Sequence, residues 1–309
     1  MKPGKSGFGM LDQVTIIIRS VGERTESLCK KLILDQGIPE EHLFIIRETP
    51  FSKAMRVGYQ KGIDRGLKWT YCIDADVLLA EHAIRDMVAI AGEQPEEVFT
   101  LSGKCIDRFI PEPRAVGNHL FRTSALQLLI DSIAPVEDEP VRPESHAKRK
   151  LFEAGFSELK VQNIIGLHDF EQYYVDVFRK AFVHANKHTE LTGEMAAYWK
   201  KHQGDHDDYR VALAGLAAGL TYHGEVKIDA NFFKNAGVNI PFEENRPDAG
   251  LDSFSVQTFS QIGEIIRENK PEPQVPHYPG YLGMLRMAAG KVKSDITTLS
   301  GRIKRVFSK

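Results

Sequence analysis

Trp69-Thr70-Tyr71-Cys72-Ile73-Asp74-Ala75-Asp76-Val77-Leu78-Leu79 is the stretch on which the reading of this chain turns. Trp69 to Ile73 is short and rich in residues that suit a pleated strand buried on both faces. It ends at two carboxylates in i, i+2 spacing, followed at once by an apolar triplet. In open α/β sheets, ligands bind beyond the carboxyl ends of the strands. Two carboxylates at such an end can offer oxygens to a hard cation such as Mg2+ or Mn2+, or one to metal and one to a ribose. A second reading stays open, in which the pair is an Asp-rich turn capping a following helix. The bare pattern is not selective: Asp205-His206-Asp207 repeats it inside a polar helical stretch, where no chemistry is expected.

Working outward, Val14-Thr15-Ile16-Ile17-Ile18 is a β-branched run that reads as a second buried strand. Glu23 to Gln36 carries Leu28, Leu32 and Ile33 at helical spacing and stops at Gly37. His42 to Arg47 reads as a strand, Lys53 to Gly66 as a helix, Glu81 to Ala91 as a helix and Glu97 to Leu101 as a strand. This alternation predicts an α/β fold with a mostly parallel central sheet flanked by helices. The strand ends then direct attention to Arg19-Ser20, Arg47-Glu48 and Asp74-Ala75-Asp76. From Gly103 to Arg122 the pattern is irregular, with Pro111, Pro113, Gly117 and Asn118, and suggests an excursion or hairpin at the sheet edge. A helix is expected over Ser124 to Ser132, an acidic surface loop over Pro135 to Glu144, and a strand over Val161 to Gly166 that leads into Leu167-His168-Asp169. Phe170 to Leu220 reads as a helical C-terminal part. Pro247, Pro271, Pro273, Pro276 and Pro279 mark a linker.

The bulk numbers bound the function. With 309 residues, 42% of them hydrophobic and 27% charged, the chain has an ordinary globular balance. A formal net charge of -2 does not point to a nucleic-acid partner. Cys29, Cys72 and Cys105 are odd in number and widely spaced, which suits buried apolar thiols in a reducing compartment. No apolar h-region follows Met1, and no run approaches the roughly 20 apolar residues of a membrane span. The expectation is a soluble, cytoplasmic protein. Residues 284–309 add a local asymmetry: Arg286, Lys291, Lys293, Arg302, Lys304, Arg305 and Lys309 face the lone acid Asp295, with apolar residues interleaved. Such a segment either lies peripherally on the anionic inner face of a membrane or packs on the main domain with its basic face in water.

Three segments in order carry a resemblance. Val14 to Ser20 with Glu23-Arg24 and Leu28, Ala54-Met55-Arg56-Val57-Gly58, and Trp69 to Leu79 together resemble the opening strand and helix, the nucleotide-covering helix and the DXD strand of family-2-type GT-A glycosyltransferases. The resemblance covers about the first 130 residues. It implies a GT-A fold over residues 11–240, with a nucleotide-binding half over 11–125 and an acceptor-side half over 126–240, followed by the linker and basic segment over 241–309. It implies transfer of a sugar from a nucleoside-diphosphate sugar to a hydroxyl acceptor, a sugar or glycolipid, with Mn2+ or Mg2+ as cofactor.

Carried over by position, the resemblance assigns Asp74 to ribose or metal and Asp76 to metal. Arg19 and Ser20 line base and ribose, Glu48 meets the base, and Lys53 and Arg56 meet base or diphosphate. His119 and Arg122, within Gly117 to Thr123, resemble the acceptor-side segment. His168 stands where such enzymes complete the metal shell, and neutral imidazole suits Mn2+ beside carboxylates. Asp169 or Glu171 is then expected to take the proton of the acceptor hydroxyl. Alternatively, Asp169 caps the helix starting at Phe170 and Glu171 favours its dipole. Arg19 replaces the family's usual proline, and the absence of a Gln-x-x-Arg-Trp motif argues against a processive polysaccharide synthase. Two other functions stay open. A sugar nucleotidyltransferase would want a glycine-rich loop after the first strand, where residues 19–24 supply Gly22 alone. The other is a non-catalytic scaffold that binds nucleotide sugars. The pairs His184/His188 and His202/His206 read as solvated helix faces.

Overall fold

The β-branched run at the start of the chain forms β1, Val14–Arg19, with every residue buried. Its side chains divide by parity: Val14, Ile16 and Ile18 join one apolar cluster and Ile17 joins another. A strand buried on both faces is what a central place in a layered α/β sheet requires, and each such isoleucine contributes about 2 kcal/mol by leaving water. The computed structural model describes residues 9–136, 140, 142–187, 192–224, 226 and 254–269. The basic segment 284–309 and most of the expected linker lie outside the described residues.

In chain order, α1 (Glu26–Leu34) leads to β2 (Leu43–Ile46), α2 (Phe51–Arg65) and β3 (Trp69–Asp74). Then come β4 (Val77–Leu79), α3 (Ala83–Gly92), β5 (Val98–Asp107), β6 (Arg114–Ala115) and β7 (Asn118–Arg122). The second part holds α4 (Leu126–Ser132), α5 (Pro143–Glu153), β8 (Ser157–His168), α6 (Tyr174–Lys187), α7 (Thr192–His202) and α8 (Asp207–Thr221). A final described helix, Phe259–Asn269, falls inside the expected linker; its Ile262 is fully buried in the first cluster. On one face of the sheet α1 and α3 bury Leu28, Leu32, Ile84 and Met87; on the other α2, α4 and α5 bury Met55, Tyr59, Leu126 and Leu151. The helices α6 to α8 form a third cluster around Phe178, Phe182, Trp199 and Leu216.

The strand order is β2-β1-β3-β7-β5-β8-β4, with β6 beside β5. The α/β sheet flanked by helices is as expected, and its parallel ladders are joined by antiparallel ones. The ladders β1–β2, β1–β3 and β5–β8 are parallel; β3–β7, β5–β7, β5–β6 and β4–β8 are antiparallel. The physical reason is connection length: β3 meets β4 through a tight turn and β5 reaches β7 through the proline-bearing stretch, and neither leaves room for a crossover helix. The same turn dictates the shape of the sheet. Four strand steps separate β3 from β4, about 19 Å if the sheet were flat. Three peptide units bridge at most about 11 Å. The sheet therefore curls, bringing its β4 edge back towards β3.

Several boundaries move. β5 continues through Gly103 and Lys104 to Asp107, well past the expected end at Leu101. β8 begins at Ser157, four residues ahead of the expected start, and in its first half only Val161 is buried, so the apolar signal of a core strand is weak there. The helix α5 was not expected; it opens on Pro143, a residue pre-organised for the first helical turn. All three cysteines are free and buried. Among the described residues no helix is long and apolar enough to cross a membrane.

Candidate functional site

Four strand ends meet at one edge of the sheet. β1 and β3 are parallel with Arg19 opposite Asp74, and β5 and β8 are parallel with Asp107 opposite His168. β7 is antiparallel to both β3 and β5, so both pairs point their carboxyl ends the same way. Past Asp74, Ala75 N donates to Arg19 O at 2.9 Å and the chain turns into β4, where Val77 pairs with His168. Asp169 N then donates to Asp76 O at 3.2 Å. Glycine permits this crowding at one point. Gly117 has φ +62°, its carbonyl accepts from Asp74 N at 2.7 Å, and a Cβ there would stand 2.6 Å from Val77 Cγ2 and 3.3 Å from Asp74 Oδ2.

Above this edge opens a cleft of about 320 Å³. It gathers Arg19, Ser20, Glu48, Asp74, Asp76, His168 and Asp169 from the residues read in the sequence. It also exposes Glu23, Arg114, Arg179, Lys180 and His184, which the sequence reading did not single out as site residues. Asp107 lies behind the floor, and its signal was hidden because its strand was ended too early.

The remaining sequence candidates have other occupations. Arg56 donates to the carbonyls of Ile130 at 3.2 Å and Ile133 at 2.8 Å, closing the end of α4 instead of meeting a base or diphosphate. Arg122 donates to the carbonyls of Val98 and Gln94 at 3.0 and 2.7 Å and stacks over Trp69, at the opposite end of β3 from the cleft. Lys53, which is not among the lining residues, pairs with the lining Glu48 at 2.8 Å. His119 is half-buried against Glu144 at 3.2 Å and is not among the lining residues. Glu171 pairs with Arg24 at 2.9 Å and accepts from Ser255 N at 2.9 Å, so it faces away from the cleft where a base was expected. The reason is local: Asp169 and Glu171 both take positive φ, at +63° and +60°, and the chain twists them to different sides before α6 begins at Tyr174.

Two linked charge networks organise the floor. In the first, Arg19 Nε donates to Asp74 Oδ1 at 2.7 Å and its Nη1 reaches Glu144 Oε1 at 3.2 Å. Burial raises the Asp74 carboxyl, and Arg19 only partly offsets it. In the second, Lys180 Nζ bridges Asp76 Oδ2, at 2.5 Å, and Asp169 Oδ1. His168 Nδ1 lies 2.9 Å from Asp107 Oδ2, and Asp107 also accepts from Arg114, Phe109 N and Ile110 N. Burial works against charge on Asp76, but Lys180 and His168 hold its carboxyl down to about 2. Burial likewise opposes the imidazolium, yet Asp169, Asp76 and Asp107 raise His168 to about 9. Asp107 is held well below the usual carboxylate range by Arg114 and His168 against its burial.

Asp76, His168 and Asp169 form a group that could hold a metal ion, with one ligand atom from each lying within 4.8 Å of the others. The residues fit such an ion. Oδ1 of Asp76 is buried and accepts no hydrogen bond from another described residue, and His168 Nε2 lies 3.7 Å from it. With Nδ1–H given to Asp107, Nε2 faces Asp76; the proton that the surrounding carboxylates keep on Nε2 would leave as a metal ion arrives, and Asp107 would hold the ring in the orientation ligation needs. The donor set of two carboxylates and one imidazole suits Mn2+ and similar ions.

No protein-family model matches the sequence, and no curated protein matches it. Among solved structures, the chain is similar to a mannosyltransferase from Pyrobaculum calidifontis in complex with GDP-Man and Mn2+, at 15% identity over 69% of this chain and 76% of that one, TM-score 0.39. It is similar to a glycosyltransferase involved in glycosylation of the major capsid of PBCV-1, at 11% identity over 49% and 82%, TM-score 0.33. It is also similar to a CMP:2-keto-3-deoxy-manno-octonic acid synthetase complexed with CTP, at 10% identity over 50% and 90%, TM-score 0.34. Likenesses of this size carry no conclusion about what this chain does.

Proposed function

We propose that the chain is a metal-dependent glycosyltransferase of the GT-A type, moving a sugar from a nucleoside-diphosphate sugar to a hydroxyl acceptor. The observation that carries this reading is the buried Oδ1 of Asp76, which accepts no hydrogen bond from another described residue and faces His168 Nε2 in the cleft floor. Leaving such an acceptor unmet costs about 1–3 kcal/mol, which a cation in that place offsets. Asp76 and His168 would hold Mn2+ or Mg2+, and Asp107 fixes the imidazole so that Nε2 is presented. The bound ion would supply Lewis-acid neutralisation of charge developing on the departing diphosphate.

The chain's own residues would do the rest. Arg19 steadies Asp74, whose other oxygen beside Gly117 is proposed to meet a ribose hydroxyl. Ser20 and Glu48 line the same cleft and are proposed to meet ribose and base. Arg114, Arg179 and Lys180 give it a positive lining for phosphate oxygens. Asp169 changes role: paired with Asp76 around one cation, it is proposed as a third ligand and not as the base.

The test is a thermal-shift screen of nucleoside diphosphates and nucleotide sugars with and without Mn2+, followed by product analysis. A Mn2+-dependent rise in Tm with one nucleotide is expected, since a ligand of the native state stabilises it. Release of nucleoside diphosphate upon adding an acceptor supports transfer. Release of pyrophosphate from a sugar phosphate and a nucleoside triphosphate would mark a nucleotidyltransferase instead, and binding with neither product a scaffold.

A further inference from the structure

Lys180 is one of three cleft cations that nothing in the sequence announced, with Arg114 and Arg179. Its neighbours Val177, Phe178, Ala181 and Phe182 are buried in the helical cluster, so α6 is pinned with Lys180 aimed at the sheet. The ammonium sits between the same two carboxylates, Asp76 and Asp169, that with His168 make up the candidate metal group. Two carboxylates this close repel unless a cation lies between them. Here the chain supplies one.

We propose that Lys180 is an internal competitor for the divalent ion, holding Asp76 and Asp169 together until the ion displaces its ammonium. This rests on the metal-site reading above and deepens it. Three observations support exchange over a permanent ion pair. The ammonium occupies oxygens that metal ligation would require, and an ion of charge two beside an ammonium would be strongly repelled. The Lys180 side chain keeps 22% of its exposure and lines the cleft, so it has somewhere to swing. Lysine is also a point charge on a flexible stem, unlike the rigid fork of arginine. Asp76 Oδ1, turned from Lys180 towards His168, is left as the first point of attachment for an incoming ion. Once displaced, the ammonium remains at the cleft, where a diphosphate would receive it. Metal and diphosphate then favour each other's binding, as any shared displacement requires.

The experiment measures Mn2+ binding alone, by the electron paramagnetic resonance signal of the free ion, in the full chain and in Lys180→Met, Lys180→Gln and Lys180→Arg. Removing the internal cation is expected to tighten Mn2+ binding about ten- to a hundredfold in the Met and Gln variants, while Arg stays near the parent chain. The Mn2+-induced rise in Tm should grow in the same order. Gln is one atom shorter than Lys, but its neutral amide can still donate to a carboxylate, so it serves if Met does not fold. Equal affinity in all four proteins, abolished by Asp76→Asn, would overturn the role of Lys180 and leave the metal site standing. Absence of Mn2+ binding in every protein, with or without a nucleoside diphosphate, would overturn the metal site itself and this inference with it.

Discussion

The chain carries the same three-residue pattern twice, and the two copies behave differently. At Asp74-Ala75-Asp76 the partners are distant: Arg19 is 55 residues away from Asp74 and Lys180 is 104 residues away from Asp76. At Asp205-His206-Asp207 they are local: His202 lies 2.7 Å from Asp205, Arg210 pairs with Asp207, and His206 caps α8 by accepting from Asp208 N. The first pair is set into the floor where parallel strands end, with Asp76 6% exposed; the second sits on a helix start in water. What separates a candidate site from a capped helix is therefore the company that topology imposes, and not the spacing of the carboxylates.

That contrast can be broken outright. Replacing Asp76 by Asn should lower transfer about a thousandfold, the scale of several kcal/mol of lost charge stabilisation in the reacting complex. Asp205→Asn and Asp207→Asn should leave transfer at the parent rate in the same assay. Comparable losses at both places would mean that position does not decide the difference. A smaller effect is expected behind the floor. Asp107→Asn should weaken Mn2+ binding about ten- to a hundredfold by releasing the His168 ring, with Arg114 left in place to keep the fold. Titrating Mn2+ into the variant, with circular dichroism to verify folding, checks this. The smallest effect sharpens the contrast from the other side. Asp207→Asn should change the unfolding free energy by no more than about 0.5 kcal/mol, because its pair with Arg210 is exposed. A larger change in a urea titration would show that the second copy carries structural weight.

Much of the framework was legible because its signals are short-range. The run from Val14 to Ile18 and that from Trp69 to Ile73 are buried throughout, and apolar but for Thr15 and Thr70, and Gly66 ends α2 in the left-handed conformation that glycine favours. His168 and Asp169 were readable from their place after a strand. Asp107 was not, because Gly103, Lys104 and the prolines beyond break the pattern by which a buried strand is recognised. Lys180 was invisible for another reason: a lysine inside an amphipathic helix is normally solvent-facing, and only the packing of α6 turns it inward. Arg19 was read as a ligand contact, whereas its guanidinium is satisfied by Asp74 and Glu144. Arg56 and Arg122 show the converse: nothing in a sequence distinguishes an arginine meeting phosphate from one closing off backbone carbonyls.

The turn between β3 and β4 also has a kinetic consequence. Strands β1 to β3 pair through helices nearby in the chain, but β4 waits for β8, and Asp76 waits for Lys180, which is 104 residues on. Closing such loops is slow compared with local pairing, since chain entropy is lost before any contact rewards it. On the ribosome the Asp76 side chain must emerge and remain solvated while more than a hundred further residues are synthesised. The cleft is then among the last parts of the fold to exist, and a truncation between β4 and α6 yields a chain with its first Asp-x-Asp intact and its cation missing.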